Sequence, residues 1–183
     1  RLTSGDDDII IVTELGKALR YAEGKVRAMG RPAAGVIAIK LQKDDKVTTM
    51  DVVEPNSSLL IVTETGVGKQ TSLEEYSPKG RGTQGILTID KNAIPVVGKI
   101  IAARVVQPED HLTLMSTEGV IIRLKVNEVK TAGRATRGVH LMRTKDGDTV
   151  AAVARIAAKD LEQVGAKLEE ESETPEGGQE ELL

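Results

Sequence analysis

Three glycines recur through this chain at one fixed spacing, and that constraint governs every other reading. Gly16, Gly66 and Gly119 stand 50 and 53 residues apart, and both Gly30, Gly80, Gly133 and Gly35, Gly85, Gly138 repeat the same steps. Within each set the glycines keep offsets of 14 and then 5. Thr13, Thr63 and Ser116 follow the same register, as do Arg31, Arg81 and Arg134. A period near 50 held at several separate positions means one supersecondary unit written three times.

Each copy reads as four short strands. The first is 9–13, 59–63 or 112–116, ending at a turn around the first glycine, where a positive φ is needed. The hairpin partner is 17–21, 68–72 or 120–124. A polar loop closed by G-R-x-x-x-G leads to a third strand at 36–41, 86–89 or 139–142, and the fourth is 46–53, 100–106 or 149–156. Short strands with regular turn signals predict an all-β, propeller-like fold of three four-stranded blades. The units run over about 1–53, 54–106 and 107–156, in a body of 1–158. Arg1-Leu2 aligns with Arg104-Val105 and Arg155-Ile156, so the expectation is a chain that opens inside the last strand of a preceding unit. Three blades leave open edges, which predicts either a longer array or closure by association.

The core is aliphatic: the chain has no Phe, no Trp and only Tyr21 and Tyr76 as aromatics. With no cysteine there is no disulfide framework or thiolate metal site. No apolar run approaches a membrane span, no signal peptide opens the chain, and a soluble cytoplasmic protein is expected. The net charge of −3 divides unevenly. Residues 159–183 hold 9 acids against 2 lysines, leaving 23 basic and 19 acidic residues in the body. The tail reads as disordered beyond Glu169, with Leu161, Val164 and Leu168 able to line a short helix before it.

Catalytic and nucleotide motifs fail on inspection. The stretch VTETGVGKQT at 62–71 looks like a phosphate loop, but Thr63 replaces the required first glycine and Gln70 the metal-binding hydroxyl; it reads instead as a hairpin. His111 and His140 occupy non-equivalent positions with no repeated carboxylate beside them. Asp6, Asp7 and Asp8 have the composition for calcium, yet Asn56-Ser57-Ser58 and Glu109-Asp110-His111 do not repeat the set, so they read as the solvated start of a strand.

The loops between the second and third strands carry the informative charge. Residues 22–35 hold Lys25, Arg27 and Arg31 against Glu23; 72–85 hold Lys79 and Arg81 against Glu74 and Glu75; 125–138 hold Lys125, Lys130, Arg134 and Arg137 against Glu128. Repetition places these loops on one rim and makes the excess a basic stripe. Two readings stand side by side: the arginines stitch neighbouring units through backbone carbonyls, or they grip phosphates. With almost no aromatics to stack bases, duplex DNA is the better nucleic-acid ligand, and a curved stripe would bend it at an elastic cost of about 1–6 kcal/mol per site.

The pattern VTE-x-G-x-x-K, then EY and G-R-G-x-x-G-I-L-x-I over 62–89, with KVRAMG-x-x-x-x-G-V-x-x-I at 25–39, resembles the C-terminal domain of DNA gyrase A, with that of topoisomerase IV a close second. The resemblance covers about 1–156. It implies a β-pinwheel, a propeller-like disc of usually six blades whose strands are exchanged between neighbours, here the C-terminal three plus an acidic tail. It also implies a non-catalytic module that wraps duplex DNA on its outer rim, in a bacterial, nucleoid-associated type II DNA topoisomerase. There the rest of gyrase A and its ATPase partner, gyrase B, form a heterotetramer, and ATP and magnesium act on other domains; no cofactor is expected in this chain. Carried over, the rim contacts map onto Arg20, Lys69 and Arg123 in the second strands and onto Arg31, Arg81 and Arg134 in the loops, beside Lys25, Arg27, Lys79, Lys130 and Arg137. The family's glutamine-led basic signature is present only as the degenerate Lys79-Gly80-Arg81-Gly82-Thr83-Gln84-Gly85. A competing class is a protein-interaction propeller, for which the loops offer Tyr76 and Met29 as hot spots. The tail invites one more expectation, a brake that folds onto the rim and competes with DNA, beside the plainer one of a solubilising end.

Overall fold

A computed structural model describes residues 1–161. Among the described residues, eleven strands form three antiparallel sheets, with tight hairpins inside each sheet and longer loops after the second strand of each unit. In the first, β1 (Asp8–Thr13) lies between β2 (Lys17–Ala22) and β3 (Val47–Val52). In the second, β4 (Ser58–Thr63) lies between β5 (Val67–Ser72) and β7 (Ile100–Val106). In the third, β8 (His111–Ser116) lies between β9 (Ile121–Lys125) and β11 (Val150–Ile156). The inner strands β3, β7 and β11 contact one another in sequence, so β2, β5 and β9 stand on the far side.

The remaining strands are exchanged. β6 (Ile86–Leu87), from the second unit, pairs with β2 of the first; β10 (Val139–His140), from the third, pairs with β5 of the second. Registers are equivalent: Lys17 faces Leu87 and Ala18 faces Ile86, while Val67 faces His140 and Gly68 faces Val139. This exchange explains two departures from the four-strand reading. Residues 36–41 form no strand, only a parallel bridge from Ile39 to Thr83, and the third sheet has three strands among the described residues. Each expected strand needs a partner from an adjacent unit, which the described residues do not supply at those two places.

The first two hairpins close through three-residue loops and the third through four residues, and in each the glycine takes a left-handed conformation: φ is 83° at Gly16, 75° at Gly66 and 84° at Gly119. The glycine amide donates to the carbonyl of Thr13, Thr63 or Ser116 at 3.1, 3.0 and 3.1 Å, as a turn followed by a glycine bulge requires. The stretch 62–71 is thus a hairpin. Tight 3₁₀ turns then follow β2, β5 and β9, at Glu23–Lys25, Leu73–Glu75 and Val126–Glu128.

Period-two alternation builds the core. In β4, Leu59 and Ile61 face the first sheet with Ile10 and Val12, while Leu60 and Val62 face the third with Leu112 and Leu114. A sheet buried on both faces must be a continuous apolar run, which LLIV supplies. Leu60 is fully buried, so truncating it to Ala would cost about 3 kcal/mol. One element had no sequence expectation, the one-turn α1 (Ile94–Val97), whose Val97 enters the core between sheets one and two. A helical turn opens at residues 158–161. The continuation of the expected tail helix through Leu168 and the disordered reading beyond it lie outside the described residues.

Candidate nucleic-acid interface

The three loops nest against one another outside β2 and β5. Lys79 donates its amide to the Arg20 carbonyl at 2.8 Å, and Ala132 repeats this on Gln70 at 2.9 Å. Arg81 reaches back into the first loop, with Nε 3.0 Å from the Lys25 carbonyl and Nη1 3.2 Å from that of Ile37. Arg134 does the same one unit on, donating to the Leu87 carbonyl at 3.2 Å and lying 3.9 Å from Glu75. The stitching role of these two arginines is therefore real. Arg31 holds the equivalent position with no hydrogen bond or ion pair from its side chain among the described residues.

Nesting leaves a distinct set of cations outward. Lys25, Arg27, Arg31, Lys79, Lys130 and Arg137 are all exposed, and no side-chain partner holds any of them among the described residues. The neighbouring acids are turned to the backbone: Glu23 accepts the Asp7 amide at 3.1 Å, Glu75 that of Arg134 at 3.1 Å, and Glu128 that of Lys125 at 3.3 Å. Those three carboxylates are engaged by backbone amides, while Glu75 and Glu128 stay exposed and Glu74 is exposed with no side-chain partner among the described residues.

The second-strand residues behave differently, and Lys69 is a correction. It is fully buried, with Nζ donating to the carbonyls of Gly133 at 2.6 Å and Arg134 at 2.7 Å and to Thr136 Oγ1 at 3.1 Å. Burial pushes its pKa down to about 8, with the Arg134 charge in the same direction and Glu75 opposing. It cannot reach a rim ligand without unmaking that loop. The true equivalent of Arg20 and Arg123, fifty and fifty-three residues along, is Gln70, whose amide spans the Val126 and Val129 carbonyls at 3.1 and 2.7 Å. The equivalents of Lys69 are Leu19 and Ile122, an inward signal available in the sequence. Arg20 is half-buried and paired with Asp8 at 2.7 Å; Arg123 is exposed and donates to His111 Nδ1 at 3.1 Å.

Tyr76 is buried and hydrogen-bonded to Thr88, so it is no docking hot spot. Among the described residues no cluster of three His, Cys, Asp or Glu could hold a metal ion; Asp8 is occupied by Arg20. No described helix is long and apolar enough to cross a membrane. Sequence reading missed the stitch formed by Arg155, which lies 2.6 Å from Asp110 and 3.1 Å from Glu54 and donates to the Val105 carbonyl at 2.9 Å. Its partners are scattered over more than fifty residues of chain, so no local pattern marks them.

A family model described as DNA gyrase C-terminal domain, beta-propeller, matches three times, at residues 7–54, 57–107 and 110–157. The chain belongs to that gyrase C-terminal domain family. Similar proteins include the DNA gyrase A of Mycolicibacterium smegmatis, 36% identical over 96% of this chain and 21% of that protein. Those of Salmonella typhimurium and Staphylococcus epidermidis are 38% and 39% identical over 85% and 87% of the chain, and 18% of each relative. The chain thus spans about a fifth of the length of these gyrase relatives. A solved DNA gyrase A C-terminal domain superposes with a TM-score of 0.78 at 26% identity, over 84% of this chain and 52% of that one. The C-terminal domain of a DNA topoisomerase IV shares the fold at 24% identity, with a TM-score of 0.83 over 93% and 53%. The gyrase-type pinwheel, with its exchanged strands, is the architecture described above.

Proposed function

We propose that this chain binds and wraps duplex DNA as a non-catalytic module of a DNA gyrase A, supporting ATP-dependent negative supercoiling by the whole enzyme. The observation that carries the reading is the run of nested loops, which presents Lys25, Arg27, Arg31, Lys79, Lys130 and Arg137 outward without partners among the described residues, while Glu23, Glu75 and Glu128 are engaged by backbone amides. Exposed, unpaired guanidinium and ammonium groups at successive loops suit a phosphate backbone followed over several turns. The scarcity of aromatics favours a duplex over a single strand. Gyrase A relatives at 36–39% identity support gyrase over topoisomerase IV as the parent enzyme.

On this reading the working assembly is a bacterial cytoplasmic, nucleoid-associated heterotetramer, with the rest of gyrase A and the ATPase gyrase B supplying cleavage and energy. ATP and magnesium would act there: residues 62–71 form a hairpin with a buried lysine, which does not fit a phosphate group. The test is binding to relaxed circular duplex across a salt series with a topoisomerase present. The expected result is affinity falling with a log-log slope of about −0.9 per phosphate neutralised and a shifted linking number. Salt-insensitive binding would overturn the reading.

A further inference from the structure

The two junctions inside this chain carry the same loop turn with opposite charges beside it. Gly80-Arg81-Gly82-Thr83 and Gly133-Arg134-Ala135-Thr136 are equivalent in the repeat. In each the threonine hydroxyl donates to the glycine carbonyl, at 3.3 Å from Thr83 to Gly80 and 2.8 Å from Thr136 to Gly133. Both arginine side chains are spent on carbonyls of the preceding unit, so what remains for an incoming group is the backbone. At the second junction the Gly133 carbonyl points in to Lys69, and across that trans peptide the Arg134 amide points the other way. It donates to Glu75 Oε2 at 3.1 Å, and a Cβ on Gly133 would lie 3.8 Å from the same oxygen. At the first junction the residue equivalent to Glu75, the last of the preceding 3₁₀ turn, is Lys25. There the Arg81 amide has no acceptor among the described residues, and a Cβ on Gly80 would meet nothing within 4 Å.

We propose, resting on the DNA-binding reading above, that the arginine amide of this turn is a subsite for a backbone phosphate of the duplex, accessible at Arg81 and closed at Arg134 by Glu75, which stands there as an internal anion. The carboxylate on the Arg134 amide is the direct sign that the turn takes an anion. Outward amides in a compact turn form a concavity suited to phosphate oxygens, and glycine at its head lets an oxygen approach the backbone closely. The surroundings divide the two sites. Lys25 and Lys79 are exposed in the loops that make the first, so a phosphate there meets only positive charge. At the second, a phosphodiester and a carboxylate each carry one negative charge, so binding replaces an anion already held and neutralises nothing new. Glu75 is also tethered by its own chain, which raises the concentration at which a free anion must compete. The two junctions therefore grip DNA unequally, and Glu75 sets the difference.

The first arm of the test needs no DNA. Inorganic phosphate is titrated into the nitrogen-15-labelled full chain, and the amide resonances are followed by NMR. The Arg81 amide should shift to saturation in the native chain while that of Arg134 stays still, and in Glu75→Gln both should shift. The second arm measures duplex binding across a salt series. Glu75→Gln should steepen the log-log slope by about 0.9, the value of one added phosphate. Glu74→Gln removes the same charge from an exposed neighbour with no side-chain partner among the described residues and should leave the slope unchanged. An Arg81 amide indifferent to phosphate, an Arg134 amide that shifts as readily in the native chain, or equal steepening in both variants would overturn the subsite. Phosphate shifts as expected with no duplex bound by any of the three proteins would leave the subsite standing and overturn the DNA reading instead.

Discussion

The ammonium of Lys69 lies 2.6 Å from the carbonyl oxygen of Gly133, 64 residues further along, and that contact ties one unit's second strand to the loop of the next. Burial holds its pKa at about 8, below the ordinary 10.5. Between those values the unfolded chain binds a proton that the folded chain does not, so stability rises with pH through that window and the gain is absent below pH 8. The rise is up to about 3 kcal/mol. Urea unfolding from about pH 7.5 to 10.5 should show it in the native chain and not in Lys69→Met, whose 131–138 amides also exchange faster with solvent. An equal rise in both proteins would refute the assignment.

Gly66 and Gly119 hold the same left-handed turn but have different surroundings. A methyl on Gly66 would run into the Met142 carbonyl oxygen, whereas one on Gly119 meets nothing within 4 Å. Gly119→Ala should therefore cost only the backbone strain, about 1 kcal/mol, and Gly66→Ala should cost at least about 3 kcal/mol as overpacking is added. Thermal unfolding of the two variants decides this; equal losses would show that the turn alone sets the cost.

On the proposed DNA-binding reading, the loop arginines divide into those free to grip phosphate and those that stitch loops together. Arg137→Ala removes an exposed cation with no partner among the described residues and should lower the salt slope of DNA binding by about 0.9, with the unfolding midpoint unchanged. Arg81→Ala removes two hydrogen bonds to the first loop and should lose about 1 kcal/mol of stability. Binding and urea titrations on the same two preparations test the division, which fails if Arg137→Ala destabilises more than Arg81→Ala.

The Arg155 stitch should make a small acid-sensitive contribution through Glu54. Its hydrogen bond holds the Glu54 carboxyl below the ordinary value of 4.5, so the pair contributes stability above that pH and loses it as pH falls through the lowered pKa. Glu54 is partly exposed, and solvent screening limits the effect to a few tenths of a kcal/mol. Asp110, at 2% exposure and 2.6 Å from Arg155, matters more: Asp110→Asn should cost about 3 kcal/mol at neutral pH. Denaturant melts of Glu54→Gln and Asp110→Asn at about pH 7 and pH 4 measure both. A larger neutral-pH loss for Glu54→Gln would reverse the ranking.

Much of the fold was legible because local chemistry repeats. The positive-φ glycines 16, 66 and 119, the hydroxyls at 13, 63 and 116, and the alternating aliphatics of β4 each depend only on neighbours in the chain. Residues 36–41 misled because a strand exists only where an edge receives it, and VIAIKL finds none among the described residues. In the candidate site, sequence located the loops and their charge. It could not separate Arg137, exposed, from Arg134, bonded to Leu87, since both are arginines in one loop.

Sequence by itself determined the threefold unit, the aliphatic all-β core and the basic loops, because periodicity and composition act over a few residues. Only the tertiary structure decided which cations face water. The repeat marks the Lys69 position as inward through its equivalents Leu19 and Ile122, but what replaces water around its ammonium was set by the carbonyls of a loop 64 residues away.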